Sequence, residues 1–250
     1  MSVPQADRFL GGRITADQSG AGFRSGLDAV MLAAAVAAGA GESALELGSG
    51  AGVASLCLAA RVPGCAVWGL EIDADLVRLA DVNAQTNNLS DRVHFVAGDA
   101  LAPPQALRRE FHHVFCNPPF HQAEGQAPPD AARARALHDE GALAGWLAAG
   151  LKRTVSGGSF TAILRADRLS EALAALPERG IAILPLWPRA GEAARRVIVQ
   201  SRKGSRAPLA LLPGLILHEA DGGYTTEADA ILRGRAGLDL GVRKPAETNV

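Results

Sequence analysis

The chain has 250 residues, 48% of them hydrophobic, and its 25 Lys plus Arg against 26 Asp plus Glu leave a formal charge of −1. That length suits one large open α/β domain, and the balanced charge excludes a chain that meets a polyanion or a membrane through its overall field, leaving local patches as the alternative. Cys57, Cys65 and Cys116 are an odd number without a Cys-x-x-Cys pair, which fits neither a disulfide framework nor a zinc site and points to a reducing cytoplasm.

The N-terminal stretch MSVPQADRFLGGR has no apolar signal core, and the small-apolar run 29–38 falls short of the ~20 residues of a membrane helix. An Ala-rich helix is expected over 27–38. From residue 43 onward short apolar runs alternate with stretches whose apolar residues recur every three or four positions. The expected order is strand 43–47, helix 53–61, strand 66–71, helix 75–87, strands 92–97 and 111–116, helix 140–153, strand 159–164, helix 169–176, and strands 181–187 and 196–200. Loops are expected at 103–109 and 122–135, and beyond 205 proline and glycine breaks dominate. Strands that are apolar throughout and linked by helices imply a mainly parallel sheet covered on both faces. Such a sheet binds ligands where loops leave the carboxyl ends of its strands, here 46–52, 71–73, 97–100 and 116–121.

ALELGSGAGVASL reads as strand, glycine turn, helix, with Gly48, Gly50 and Gly52 at alternate positions. Glycines allow the sharp turn and a close backbone approach to a ligand, and the following helix presents N–H groups. Glu71 ends the next strand 19 residues after Gly52, in GLEID, where a carboxylate accepts from both ribose hydroxyls of an adenosine. Alternating glycines preceded by Glu46 suit a cationic ligand without phosphate better than a dinucleotide; S-adenosylmethionine is such a ligand. In VAGDAL, Asp99 and the Ala100 N–H are placed to meet an adenine edge, and Asp99 is equally suited to capping its own turn.

FCNPPF follows the fourth of these strands. Consecutive prolines fix φ near −65°, hold Asn117 out of helical geometry and remove N–H groups. The corner is therefore stiff and rich in acceptors, although Asn-Pro-Pro also serves as a plain strand-ending turn.

In that order ELGSGAG, LEID, GDAL and NPPF resemble the class I S-adenosylmethionine-dependent methyltransferases over roughly residues 43–200, and NPPF resembles the N/D-P-P-Y/F signature of the branch that methylates planar amino nitrogens. The resemblance implies a Rossmann-like α/β fold with a seven-stranded, mostly parallel sheet and helices on both faces. It implies a cofactor site at Glu46, Gly48, Gly50, Gly52, Glu71, Ile72, Asp99 and Ala100, and a catalytic corner of Asn117, Pro118, Pro119 and Phe120. Asn117 Oδ1 and the Pro118 carbonyl would accept the two N–H bonds of the target amine, and Phe120 would stack on its base, worth ~1–3 kcal/mol.

The flanks RFLGGRITADQSGAGFRSGLDAVMLAAAV and LPGLILHEADGGYTTEADAILRG resemble the bacterial tRNA adenine-N6 methyltransferase family, whose known member acts on an adenine beside the anticodon of a valine tRNA. That implies a single domain: an N-terminal segment 1–42, a cofactor-binding core 43–200 and an extension 201–250. It also makes Arg24, Gly26 and Asp28 candidates for the methionine end of the cofactor, Asp28 alternatively starting its helix as a cap. An excess of Arg189, Arg195, Arg196, Arg202, Lys203 and Arg206 over Glu192 is either an RNA-phosphate patch, with Arg202, Lys203 and Arg206 as substrate contacts, or a solvated face. His121 adjoins the corner and is a candidate substrate contact. The remaining histidines suit surface or capping roles with no metal spacing, and Trp68, Trp146 and Trp187 suit packing. Besides tRNA adenine methylation, the sequence leaves open a protein glutamine-N5 methyltransferase, a small-molecule methyltransferase and a non-catalytic RNA-binding module.

Overall fold

The computed structural model describes residues 6–18, 24–119 and 143–241. Phe120, His121 and the 122–135 loop lie outside the described residues.

A two-stranded hairpin comes first, β1 (Asp7–Phe9) and β2 (Ile14–Ala16), followed by α1 (Leu27–Ala35). The core then runs β3 (Ser43–Leu47), α2 (Val53–Arg61), β4 (Ala66–Glu71), α3 (Ala74–Thr86), β5 (Val93–Ala97), β6 (Phe111–Cys116), α4 (143–153) and β7 (Thr154–Arg165). It ends with α5 (Leu169–Ala175), β8 (Ile181–Trp187), β9 (Arg196–Arg202), the short β10 (Ala210–Leu211) and β11 (Leu215–Ile216), and α6 (Thr226–Leu232). The sheet order is β10-β8-β9-β7-β6-β3-β4-β5 with β11 also on β8, nine strands among the described residues rather than seven. The two extra strands are the two-residue pairings at the β8 edge. β9 alone runs against its neighbours, antiparallel to both β7 and β8.

Side chains of successive strand residues point to opposite faces, and the continuous apolar strands fill two separate cores in this way. Leu45 and Leu47, Val114 and Cys116, Phe160, Ala162 and Leu164, and Val197 and Val199 pack into the core under α4 and α5. Ala44, Phe115, Ile163 and Ile198, their alternates, pack into the core under α1, α2, α3 and α6. With both faces sealed, polar chemistry is confined to the edges of the sheet. Regular pairing of β7 with β6 starts at Ser159↔His113, as the sequence reading expects. The earlier start at Thr154 comes from an irregular excursion around Gly157, whose φ is 77°.

The N-terminal hairpin, absent from the sequence reading, is held by amide side chains of α3 that imitate a strand edge. Thr15 N donates to Asn87 Oδ1 (2.9 Å) and Asn87 Nδ2 to Thr15 O (2.7 Å). Asp17 N donates to Asn83 Oδ1 (2.8 Å), and Asn83 Nδ2 donates to both Asp17 O (3.0 Å) and Ala51 O (2.9 Å). The last bond reaches into the glycine turn after β3. At the other terminus α6 is capped by Thr225 Oγ1, which accepts from Ala228 N (3.2 Å), and buries Ala228 and Ile231 in the core of α1.

Asn83 is 2% exposed, so removing its amide strands the Asp17 N–H and leaves two carbonyls one donor poorer. Asn83→Ala is expected to lower stability by about 1–3 kcal/mol. It should also weaken binding of any ligand at the glycine turn, because Ala51 belongs to that turn; calorimetric melting and a titration with S-adenosylmethionine, the ligand the sequence resemblance implies, measure both.

Candidate active site

A cavity of about 720 Å³ opens at the carboxyl ends of the parallel strands. Along that edge the groups follow the sheet order. Arg196 opens β9, Arg165 closes β7, and Asn117, Pro118 and Pro119 leave β6. Gly48, Ser49 and Gly50 then leave β3, Glu71 and Ile72 leave β4, and Gly98, Asp99 and Ala100 leave β5. Ser25 before α1, Asp28 and Ala29 in its first turn and Trp146 from α4 also line the wall.

The glycine turn is pinned to the neighbouring strand. Gly48 N (2.7 Å) and Ser49 N (3.1 Å) both donate to Leu70 O, and Gly50 N donates to Glu71 Oε2 (2.8 Å). Asp73 N donates to Glu71 Oε1 (3.1 Å), so the carboxylate is oriented by two backbone donors. Gly48, Gly50 and Gly52 have φ of 70°, 53° and 85°, in the left-handed region that favours glycine. They differ in surroundings. A Cβ on Gly48 would lie 2.7 Å from Trp146 and one on Gly52 2.5 Å from Phe95, whereas one on Gly50 would meet nothing within 4 Å. Gly50 is therefore the position where backbone faces open space.

Glu46 lines the cavity yet is 4% exposed; its Oε2 accepts from Ser55 N (2.9 Å) and Ser55 Oγ (2.5 Å). Burial pushes its carboxyl up to about 8 against the pull of the two Ser55 bonds, and the nearby Glu71 charge adds to the rise. Asp28 sits at the cavity wall, but its carboxylate is paired with Arg196 (Oδ2 to Nε, 2.8 Å) and makes no cap to the helix it begins. Asp99 Oδ1 accepts from Leu101 N (2.8 Å), the turn-capping arrangement, while the residue also lines the cavity. Ile72 is 74% exposed on the rim.

Two buried oxygens in this wall have no hydrogen-bond partner among the described residues, Ser49 Oγ and Asn117 Oδ1. Beside Asn117, burial holds the Cys116 thiol protonated, which removes it as a nucleophile.

Two expectations are corrected. Arg24 is not part of the wall; its guanidinium is held by Asp7 Oδ2 at 2.6 Å, next to the Gln18 amide on the same carboxylate. The basic cluster is not one patch either. Arg202 ends β9 six residues after Arg196, roughly 20 Å along the strand, at the opposite edge of the sheet. There Arg202 and Lys203 line a separate hollow of about 420 Å³, Lys203 Nζ is held by Glu110 (2.9 Å) and Thr154 O (2.6 Å), and Arg206 is exposed. Arg202, Lys203 and Arg206 thus do not face the cavity that holds Asn117.

Several wall residues lie outside the site residues expected from the sequence, Ser49, Arg165 and Trp146 among them, and Arg196, expected only within the basic cluster, lines the wall as well. Ser49 lies inside the glycine motif and was available there. Arg165 follows the expected end of its strand by one position. Arg196 belongs to the cavity because β9 is reversed, and Trp146 because α4 carries it over Gly48; neither has a local signal.

Among solved structures, a predicted O-methyltransferase from Agrobacterium tumefaciens superposes with a TM-score of 0.71 and 30% identity, covering 84% of this chain and 98% of that one. The tRNA1(Val) (adenine(37)-N6)-methyltransferase of Porphyromonas gingivalis is 35% identical over 141 residues, 54% of this chain and 55% of that one. Its namesake from Aeromonas hydrophila is 26% identical over 214 residues, 84% and 88% of the two chains. The chain spans about half the length of the P. gingivalis relatives it matches. Residues 25–150, half of the chain, match the family described as the methyltransferase small domain, with the glycine turn, the Glu71 strand end and the Asn-Pro-Pro corner all inside the match, and the chain belongs to that family.

Proposed function

We propose that the protein is an S-adenosylmethionine-dependent N-methyltransferase acting on N6 of an adenine in tRNA, in the cytoplasm, with residues 1–250 working as one domain. The observation that carries this reading is Asn117 Oδ1, a buried acceptor at the tip of β6 without a donor among the described residues, in a cavity built at the ends of parallel strands. Leaving such an oxygen unpaired costs on the order of 1–3 kcal/mol; a ligand N–H removes that cost.

The wall fits the cofactor. The oriented Glu71 carboxylate suits the ribose hydroxyls, Asp99 and Ala100 the adenine edge, the open backbone at Gly50 a close approach, and Glu46 and Asp28 a cationic end. When bound, S-adenosylmethionine supplies a methyl group activated by its sulfonium charge. An exocyclic amine is a weak nucleophile because its lone pair is delocalised into the ring. Acceptors at Asn117 and the Pro118 carbonyl hold both N–H bonds and leave the lone pair for the methyl carbon. No strong base is required, since the ammonium formed is acidic. Alignment supplies the rate, on the scale of ~7–11 kcal/mol for well-oriented groups.

A hydroxyl acceptor, as in the description of the A. tumefaciens protein, calls for a base instead. Among the described residues the wall's carboxyls are otherwise engaged: Glu46 is buried and protonated at neutral pH, Asp28 is paired with Arg196, Glu71 is bonded by Gly50 and Asp73, and Asp99 by Leu101 N. A glutamine side-chain amide fits the same corner, so incubation with total tRNA and, separately, total protein decides between the two amines. Label in protein and none in tRNA would overturn the adenine reading.

Asn117→Ala is expected to lower methyl transfer by about 100- to 1,000-fold while cofactor affinity, measured by calorimetry, stays within about threefold. Retained transfer refutes the role of this oxygen.

Glu46 predicts a pH dependence. Its carboxyl is neutral below about 8 in the ligand-free fold, and a cation beside it favours the ionised form, so binding must expel a proton at neutral pH. Cofactor affinity should therefore rise with pH, by at most roughly tenfold per unit, and level off above about 8. Glu46→Gln should flatten the rise; an unchanged slope in that variant would assign the proton to another group.

A further inference from the structure

The charge of the cavity wall changes sign along the sheet edge. On the β3, β4 and β5 side of Asn117 the acidic wall groups are Glu71 and Asp99, with Glu46 beside them protonated until a cation binds; on the β7 and β9 side the basic groups are Arg165 and Arg196, with Asp28 against Arg196. The two arginines are direct cross-strand partners in the β7–β9 ladder, one closing its strand and the other opening the next. Like charges placed opposite each other in a sheet repel, and each is balanced by a carboxylate. Arg165 forms a two-point pair with Asp167 (2.6 and 3.1 Å), and Arg196 pairs with Asp28 (2.8 Å). The Arg165–Asp167 pair is exposed, 42% and 59% for the two side chains, and an exposed pair of this kind is weak enough to be exchanged for a better anion.

Strand spacing sets the scale. β7 is next to β6 and β9 is one strand further, so Arg165 and Arg196 lie about 5 and 10 Å across the sheet from the strand that carries Asn117. That is the scale of a single nucleotide. A ligand whose amine is held at Asn117, with the cofactor occupying the acidic side, must extend its remaining mass toward these guanidinium groups.

Resting on the function proposed above, we infer that Arg165 and Arg196 form a phosphodiester-binding clamp for the RNA backbone next to the methylated base. Arginine is suited to this because its planar fork matches two phosphate oxygens at once. Every nucleotide brings such an anion at a fixed distance from its base, whereas a glutamine side chain brings none, so the clamp also favours RNA over protein as the substrate. It replaces Arg202, Lys203 and Arg206, which stand at the far edge of the sheet, as the contact that aligns substrate with the corner.

The test is a titration of tRNA binding against potassium chloride concentration, in the presence of S-adenosylhomocysteine, for the wild type, Arg165→Gln, Arg196→Lys and the double variant Arg202→Gln/Arg206→Gln. Arg165→Gln is expected to weaken binding roughly tenfold at low salt and to reduce the slope of log affinity against log salt by about 0.7 to 1. Its affinity for S-adenosylhomocysteine should be unchanged. Arg196→Lys keeps the charge beside Asp28, so it should retain the slope while raising KM for tRNA, because a point charge replaces a guanidinium whose orientation is set by Asp28 at Nε and by Arg195 O at Nη1. The far-edge double variant should match the wild type.

Equal losses in the far-edge variant and in Arg165→Gln overturn the clamp in favour of diffuse attraction. So does an unchanged slope in Arg165→Gln. Wild-type protein that binds tRNA with this slope pattern but transfers no methyl group to it overturns the proposed function while upholding the clamp. Wild-type protein whose tRNA binding does not depend on salt overturns the clamp whatever its activity.

Discussion

Burial on both faces of the central sheet governs where this protein can do chemistry. β3, β4, β6, β8 and β9 send alternate residues into two apolar cores, and helices cover each one. Backbone N–H and C=O groups inside the sheet are spent on ladder bonds, so donors and acceptors for a ligand become available only where strands end. β3, β4, β5, β6 and β7 are parallel and end along the same edge. Five loops therefore converge there, and the cavity lies among them.

Convergence alone would give flexible loops, and the bonds at the β3 and β4 ends prevent that. Leu70 O holds Gly48 and Ser49, the Glu71 carboxylate holds Gly50, and Glu71 O receives Gly98 N at 2.8 Å. Three consecutive strand ends are thus linked through the last two residues of β4. Asn83 adds the N-terminal hairpin to the same assembly through Asp17 and Ala51. A ligand meeting this edge finds groups already ordered, so little of the binding free energy is lost to arranging them. The packing that fixes Gly48 against Trp146 and Gly52 against Phe95 has the same effect, because it leaves the turn few alternative conformations.

The parts legible in the sequence are those where one physical signal suffices. Apolar strands such as β3, β4, β6 and β8 stand at their expected limits because each is long enough for its burial to dominate. β1 and β2, three residues each, pair with one another, and β2 is held by Asn83 and Asn87 at the end of α3; β10 and β11, two residues each, form on the edge of β8, so no strand-length pattern announces them. α6, at seven residues, is also short, but its Thr225 cap is a local signal passed over among the glycine breaks. Site residues divide in the same way. Gly48, Gly50, Glu71 and Asn117 follow their own strands and can be read in order, whereas Arg196 joins the cavity through the direction of β9. The basic cluster read as one group is continuous in sequence and split by a strand in space.

The signature admits asparagine or aspartate at the corner, and in this particular wall the behaviour of Glu46 favours the amide. A carboxyl buried in this wall is pushed up to about 8 by loss of solvent and the neighbouring Glu71 charge, so at neutral pH it carries a proton. An acid placed at residue 117, with its oxygen as buried as Asn117 Oδ1, would face the same burial penalty. Once protonated it would present an O–H where the proposed function needs an acceptor for the amine. An amide oxygen accepts at every pH and adds no charge to a wall that already holds Glu46, Glu71 and Asp99. The amide also keeps the junction between the acidic and basic sides of the cavity neutral, so under the proposed function neither a cation on one side nor an anion on the other would meet a competing charge there.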